Sequence, residues 1–390
     1  ARIAGSLRVL SSDENGDGVR RSASTTSGIR TNDGLGSVAL EALAMVTLEP
    51  DPANVPIWLG GAILLAEKQS VARARRGRVP TPSDETRTQS LIPKALPAPL
   101  RTWTARLDPA RAVARVSADT TSPAAFHETF ARRNTPVVLE DCVAARRGWA
   151  PPDTWRDLAF LTDAAGDRLV PVAFGGHGDD DVEDATLEAT REMALGDLIR
   201  DFIAPQVASS RDDEENAEEE TESSSPRDGE RNEKRKNEKI AYASQHALFH
   251  QAPALARMVG VPAFTLGRLK ADRGAVNAWV GTAGTRTALH RDPYQNLLCQ
   301  CAGFKYVRLY DARETRFLYA EKPLCEGNEN TFTKSAVRVE DPDLKRHPLF
   351  AKAAFVETVL RPGDALFMPK GMWHYVRALT PSVSVNFWWN

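Results

Sequence analysis

The chain has 390 residues, 42% hydrophobic and 26% charged, which excludes a mini-protein, a fibre and wholesale disorder, and allows one large domain with accessories. Its 50 Lys and Arg against 52 Asp and Glu leave a formal charge of −2, so no global field captures DNA or an acidic membrane and any nucleic-acid contact is local. Cys142, Cys299, Cys301 and Cys325 show no C-x-x-C spacing; Cys299 and Cys301, two apart in an apolar run, share one strand face as buried thiols of a reducing compartment.

No secretory h-region opens the chain, and its longest apolar stretch, Ile57–Ala66, is far short of a bilayer span. A soluble intracellular protein, nuclear or cytoplasmic, is expected; the first residue is not methionine, which leaves an upstream address signal open. Residues 1–36, rich in Ser, Gly, Asp and Arg, are expected to be disordered. Apolar spacing over Val38–Leu48 and Val55–Ala74, with Glu49-Pro50-Asp51-Pro52 between, predicts a helical hairpin over 37–79, with a docking role open to it. Its basic end, Arg73–Arg78, reads as a solvated helix end in preference to an import signal, and a Pro-rich linker fills 80–100.

Residues 101–390 read as one domain. Ala110–Val116 is expected as a strand, Ser122-Pro123 as the start of a helix, and Pro136–Leu139 as a short buried strand. Residues 205–239, with acidic runs, serines and the basic Lys234–Lys236, are expected to form a disordered, solvated insertion. After Gly274 short β runs alternate with turn residues; Cys301–Phe304, Arg361–Asp364 and Pro369–Gly371 are expected hairpin turns of an antiparallel barrel or jelly roll.

His290-Arg291-Asp292 sets an imidazole and a carboxylate on one face at the end of a strand, and His374 lies on a later strand that an antiparallel barrel brings beside it. Two histidines and a carboxylate form the facial triad of non-haem Fe(II) oxygenases. With seven His and 52 acids, about one H-x-[DE] triplet is expected by chance, so the triplet alone decides nothing. A second one, His177-Gly178-Asp179, sits in a Gly/Asp-rich stretch with no strand pattern after it and is set aside as a solvated loop.

The runs Trp279–Ala312 and Leu360–Trp389 that surround the triad resemble the JmjC-domain 2-oxoglutarate oxygenases. Within them, Ala241–Leu255 is similar to the branch described as lysine demethylase 8, an arginyl hydroxylase; the likeness runs from about Ser122 to Asn390 apart from the insertion. The resemblance implies a mainly β fold with helical additions, a double-stranded β-helix of cupin type, and Fe(II) held by His290, Asp292 and His374 as the catalytic centre. It implies 2-oxoglutarate and O₂ as cosubstrates, with Lys305 on the distal carboxylate and Tyr242, Thr287 and Asn296 completing its hydrogen bonds; a compact ammonium suits a dianion that is costly to desolvate. Trp279, Gln245 and Trp388 are implied to face the substrate, against the ordinary reading of strand tryptophans as core.

One departure stands out. Where the branch carries a glutamate that engages the substrate guanidinium, this chain reads Val170-Pro171-Val172-Ala173, which separates the substrate question from iron and cosubstrate binding; Asp179 and Asp180 are nearby acids. The expected activity is hydroxylation of a protein side chain, arginine favoured, with succinate and CO₂ as coproducts. Methyl-lysine demethylation, on histone or other protein, is the second reading; the expected partner is a protein or peptide, such as a histone or ribosomal tail. A silent interaction protein would commonly have lost a ligand, and a cupin metalloenzyme without 2-oxoglutarate would leave Lys305 idle.

Overall fold

The computed structural model describes residues 91–175, 190–210, 239–269, 275–321 and 333–390. The expected helical hairpin over 37–79, the triplet His177-Gly178-Asp179, Asp180 and Cys325 lie outside them. In chain order the strands are β1 (Arg115–Ser117), β2 (Val137–Glu140), β3 (Leu169–Gly175), β4 (Thr190–Ala194), β5 (Ile240–His246), β6 (Val276–Gly281) and β7 (Arg286–Arg291). Then come β8 (Gln295–Ala302), β9 (Lys305–Tyr310), β10 (Thr333–Lys334), β11 (Val356–Leu360), β12 (Ala365–Met368), β13 (Trp373–Ala378) and β14 (Ser382–Trp389).

They form a nine-stranded sheet, β1-β2-β12-β8-β14-β6-β5-β3-β4, and a five-stranded sheet, β10-β7-β13-β9-β11. Side-chain alternation along each strand builds the layers. On β8, Leu297, Cys299 and Cys301 point to the outer core, where Phe126, Trp155, Leu158 and Leu161 cover the large sheet; Leu298 points between the sheets with Val307, Leu309, Leu360 and Val376. The outer face of the small sheet packs Tyr306, Tyr310 and Trp373 beneath Leu100, Trp103 and Leu107. This two-sheet architecture is the expected jelly roll.

The local chemistry sets the covering segments. The Ser122 hydroxyl accepts the Ala125 amide at 3.1 Å and starts the helix Pro123–Phe126. The Asp157 carboxylate accepts the amides of Ala159 and Phe160 at 3.0 and 3.1 Å and starts Leu158–Ala165.

Three expectations are corrected. The strand expected over Ala110–Val116 is only Arg115–Ser117, because Asp108 caps a 3₁₀ turn at Pro109–Arg111 through its 2.9 Å acceptance of the Ala110 amide. The insertion expected from residue 205 begins later: 204–210 are helical, with Val207 buried and the Gln206 side-chain oxygen accepting the Ala283 amide at 2.8 Å. The three turns are not hairpins. Gly303, Gly363 and Gly371 take the positive φ values of +72°, +105° and +77° expected of tight turns, yet β8 and β9, β11 and β12, and β12 and β13 lie in opposite sheets, so each turn carries the chain across the sandwich. His347, at the N-cap of the 3₁₀ helix Pro348–Lys352, is buried against Tyr319, ring centroids 4.7 Å apart.

Candidate active site

β7 and β13 are neighbours in the small sheet, and His290 and His374 are direct register partners across them. Their rings stand 4.0 Å apart between centroids. Asp292 follows β7 immediately, and its carbonyl accepts the Gly371 amide at 2.9 Å, which ties the turn before β13 to the end of β7. One ligand-type atom from each of the three residues falls within 4.8 Å of the others.

Each imidazole is oriented by its own strand. His290 Nδ1 is 2.8 Å from the Ala288 carbonyl and His374 Nδ1 is 3.1 Å from the Met372 carbonyl, so each Nδ1 donates to backbone and presents the Nε2 lone pair inward. Those Nε2 atoms lie 3.5 Å (His290) and 3.7 Å (His374) from the Asp292 carboxylate oxygens. Burial, reinforced by neighbouring His290, lowers the His374 pKa to about 4 against the pull of Asp292, which favours the neutral ring. The Asp292 carboxylate is buried, and its Oδ1 has no hydrogen-bond partner. A buried carboxyl oxygen with no hydrogen-bond donor beside two converging imidazole nitrogens is a donor set that fits Fe(II).

The triad forms one wall of a cavity of about 320 Å³. Lys305, Tyr242, Thr287, Asn296, Trp279, Gln245 and Trp388, all singled out in the sequence, line this same cavity. Lys305 is in phase with Val307 and Leu309 on the inward face of β9 and is 2% exposed, too buried to reach water as a surface lysine does. Its Nζ lies 3.5 Å from the Tyr242 hydroxyl and over the Tyr242 and Trp279 rings at 5.5 and 6.0 Å, aromatic faces that favour a cation. Gln245 has φ +46°, and the pairing of β5 with β6 slips between Ala243 and His246; this bulge turns Gln245 toward the cavity. Trp388 packs against Tyr294 with ring centroids 5.6 Å apart.

Sequence reasoning missed Lys334, Ser244 and Asn386, which also line the cavity. Asn386 had a readable signal, a polar residue in the inward phase of β14 between Ser384 and Trp388. Lys334, register partner of His290 on the two-residue strand β10, had none, because so short a strand carries no periodicity. Ala173, the departure from the glutamate, sits buried in the core cluster that holds Tyr242 and Trp279 and pairs directly with Tyr242.

The family described as cupin-like domain matches residues 123–390. Among curated proteins, lysine-specific demethylase 8 of Xenopus tropicalis is 33% identical over 266 residues, 68% of this chain and 50% of that protein. Lysine-specific demethylase 8 of Danio rerio is 32% identical over 73% of this chain and 60% of its own length. Jumonji C domain-containing protein 5 of Drosophila melanogaster is 32% identical over 62% and 52%. The chain thus spans roughly half to three fifths of the length of these relatives. By its two-sheet fold and the family match over residues 123–390, the chain belongs to the cupin-like domain family, in its JmjC group.

Proposed function

We propose that the protein is an Fe(II)- and 2-oxoglutarate-dependent hydroxylase of a protein side chain, arginine the favoured target, releasing succinate and CO₂. The observation that carries this reading is the pairing of the His290, Asp292 and His374 cluster with the buried ammonium of Lys305 in one cavity. Iron in that cluster would supply O₂ activation coupled to oxidative decarboxylation of 2-oxoglutarate, and oxygen transfer to a C–H bond. Lys305 would pair with the distal carboxylate of the cosubstrate, with hydroxyl and amide donors from Tyr242, Thr287 and Asn296. Trp279 and Trp388 would keep water out, and Gln245 would orient the substrate chain at the mouth. We place this activity in the nucleus or cytoplasm; among the described residues no helix is long and apolar enough to cross a membrane.

One observation favours a second reading, demethylation of methyl-lysine: the inward position beside Tyr242 carries Ala173 and no carboxylate for a guanidinium. The same site chemistry serves both outcomes, because a hydroxylated N-methyl group collapses to amine and formaldehyde. The test is mass spectrometry of arginine-rich and methyl-lysine peptide pools incubated with protein, Fe(II), ascorbate and 2-oxoglutarate, with His374→Ala in parallel. Gain of one oxygen on arginine supports the hydroxylase; loss of a methyl carbon supports the demethylase; no His374-dependent product on either pool overturns both.

A further inference from the structure

Three hydrogen bonds run in series along the cavity floor. The Trp279 indole donates from Nε1 to Asn386 Oδ1 at 2.9 Å. Asn386 Nδ2 donates to Asn296 Oδ1 at 3.1 Å, and Asn296 Nδ2 donates to Asp292 Oδ2 at 3.4 Å. The four side chains are buried, on β6, β14, β8 and the segment after β7.

The direction of this series is forced by its ends. An indole is donor only and a carboxylate is acceptor only, whereas an asparagine amide is ambivalent and faces either way according to its neighbours. Trp279 obliges Asn386 to turn its oxygen toward the indole, so the Asn386 nitrogen faces Asn296. That in turn obliges Asn296 to offer its own nitrogen to Asp292. The chain therefore occupies Asp292 Oδ2 with a donor and leaves Oδ1, the orphaned atom, as the oxygen presented on the side of His290 Nε2 at 3.5 Å.

We infer that Asn386 is a positioning residue that, through Asn296, sets which carboxylate oxygen of Asp292 is offered to a metal. The inference rests on the iron-centred reading above. It adds a residue on β14 that contacts none of the three ligands in this series and acts only by fixing an amide orientation. Asn296 keeps its second amide hydrogen for a cosubstrate, so the two roles are compatible.

The informative substitution is Asn386→Asp, nearly identical in shape. Its carboxylate still accepts from Trp279 but has nothing to donate, so the Asn296 amide turns over and points an oxygen at Asp292. Ser384→Ala is the control: it removes a buried 2.8 Å hydrogen bond to Gln300 from the same strand without touching the series. Two readouts are needed. In metal-free protein, the indole N–H of Trp279, assigned with Trp279→Phe, is expected to be downfield-shifted and slow to exchange. In Co(II) titrations followed by visible absorption, Asn386→Asp is expected to weaken affinity about tenfold, as loss of an outer partner of a metal ligand does, while Ser384→Ala changes thermal stability and leaves affinity at the wild-type value. A freely exchanging indole, or wild-type cobalt affinity in Asn386→Asp, overturns the relay alone. Equal loss of affinity in Ser384→Ala reduces Asn386 to a structural role. Failure of the wild type to take up cobalt overturns the iron-centred reading and the relay's purpose with it.

Discussion

His290 and Asp292 are separated by a single residue, but His374 comes from a distant part of the chain, and only the pairing of β7 with β13 joins them. His290→Ala or Asp292→Ala should reduce turnover to background, measured as succinate formation, because each removes one of the three groups proposed to hold the metal. Lys305→Ala should act differently: loss of a charge-assisted contact worth about 1.5–3 kcal/mol raises the KM for 2-oxoglutarate by roughly tenfold or more, with a smaller change in kcat. His177→Ala should retain wild-type turnover. At this scale the sequence was informative through the runs that surround the triad, Trp279–Ala312 and Leu360–Trp389, more than through any single spacing. His290-Arg291-Asp292 and Lys305 were singled out only through the resemblance of the runs around them; taken alone the triplet is expected about once by chance and Lys305 reads as a strand lysine. The amide series through Asn386 was not readable, because it depends on which strands become neighbours across β8, β14 and β6, and no spacing along the chain encodes that.

Individual strands after Gly274 were legible as short apolar runs punctuated by turn residues; β8, β12 and β14 are buried on both faces, so alternation of polarity was not the signal. What the turns join was not legible. A Gly at positive φ satisfies a tight reversal equally well within one sheet or between two, and the decision is made by packing on both faces. Gly303 tests this point. A Cβ there would sit against the Pro381 carbonyl oxygen and the Thr380 hydroxyl, and the φ of +72° is strained for any L side chain. Gly303→Ala should therefore destabilise the fold by about 2–4 kcal/mol in urea denaturation, and should disturb Lys305, which opens the next strand.

The end of β5 carries a pH dependence of its own. Burial holds the His246 imidazole below its ordinary value of 6.5, opposed by a hydrogen bond with Gln251. The unfolded chain thus binds a proton near that pH that the folded protein refuses, so stability is complete above it and declines as pH falls. Replacing His246 with Gln should flatten the loss of Tm between about pH 7.5 and 5.5 relative to wild type; identical slopes would remove His246 as the cause.

For the molecule as a whole, composition set the start of the charged insertion at residue 205, among residues that are in fact packed. Val207 alone among alanines and polar residues is a weak signal, yet that side chain is buried in the outer core and Gln206 caps the turn after β6. The packed structure therefore reaches at least to residue 210. Replacing 211–238, whose charged and serine-rich composition offers little to a core, with a short Gly/Ser linker should leave Tm within a few degrees and cobalt affinity unchanged. Extending the deletion to 205 should lower Tm markedly by exposing the surface that Val207 covers.

The register pairing of His290 with His374 also bears on biosynthesis. A nascent chain that has released β7 but not β13 displays an imidazole and a carboxylate with no third partner, an open chelate that copper and zinc occupy more avidly than iron does. On the iron-centred reading, selection for the weaker-binding metal would therefore belong to the closed sandwich, and the order in which strands leave the ribosome would set how long the unfinished site is exposed to the wrong ion.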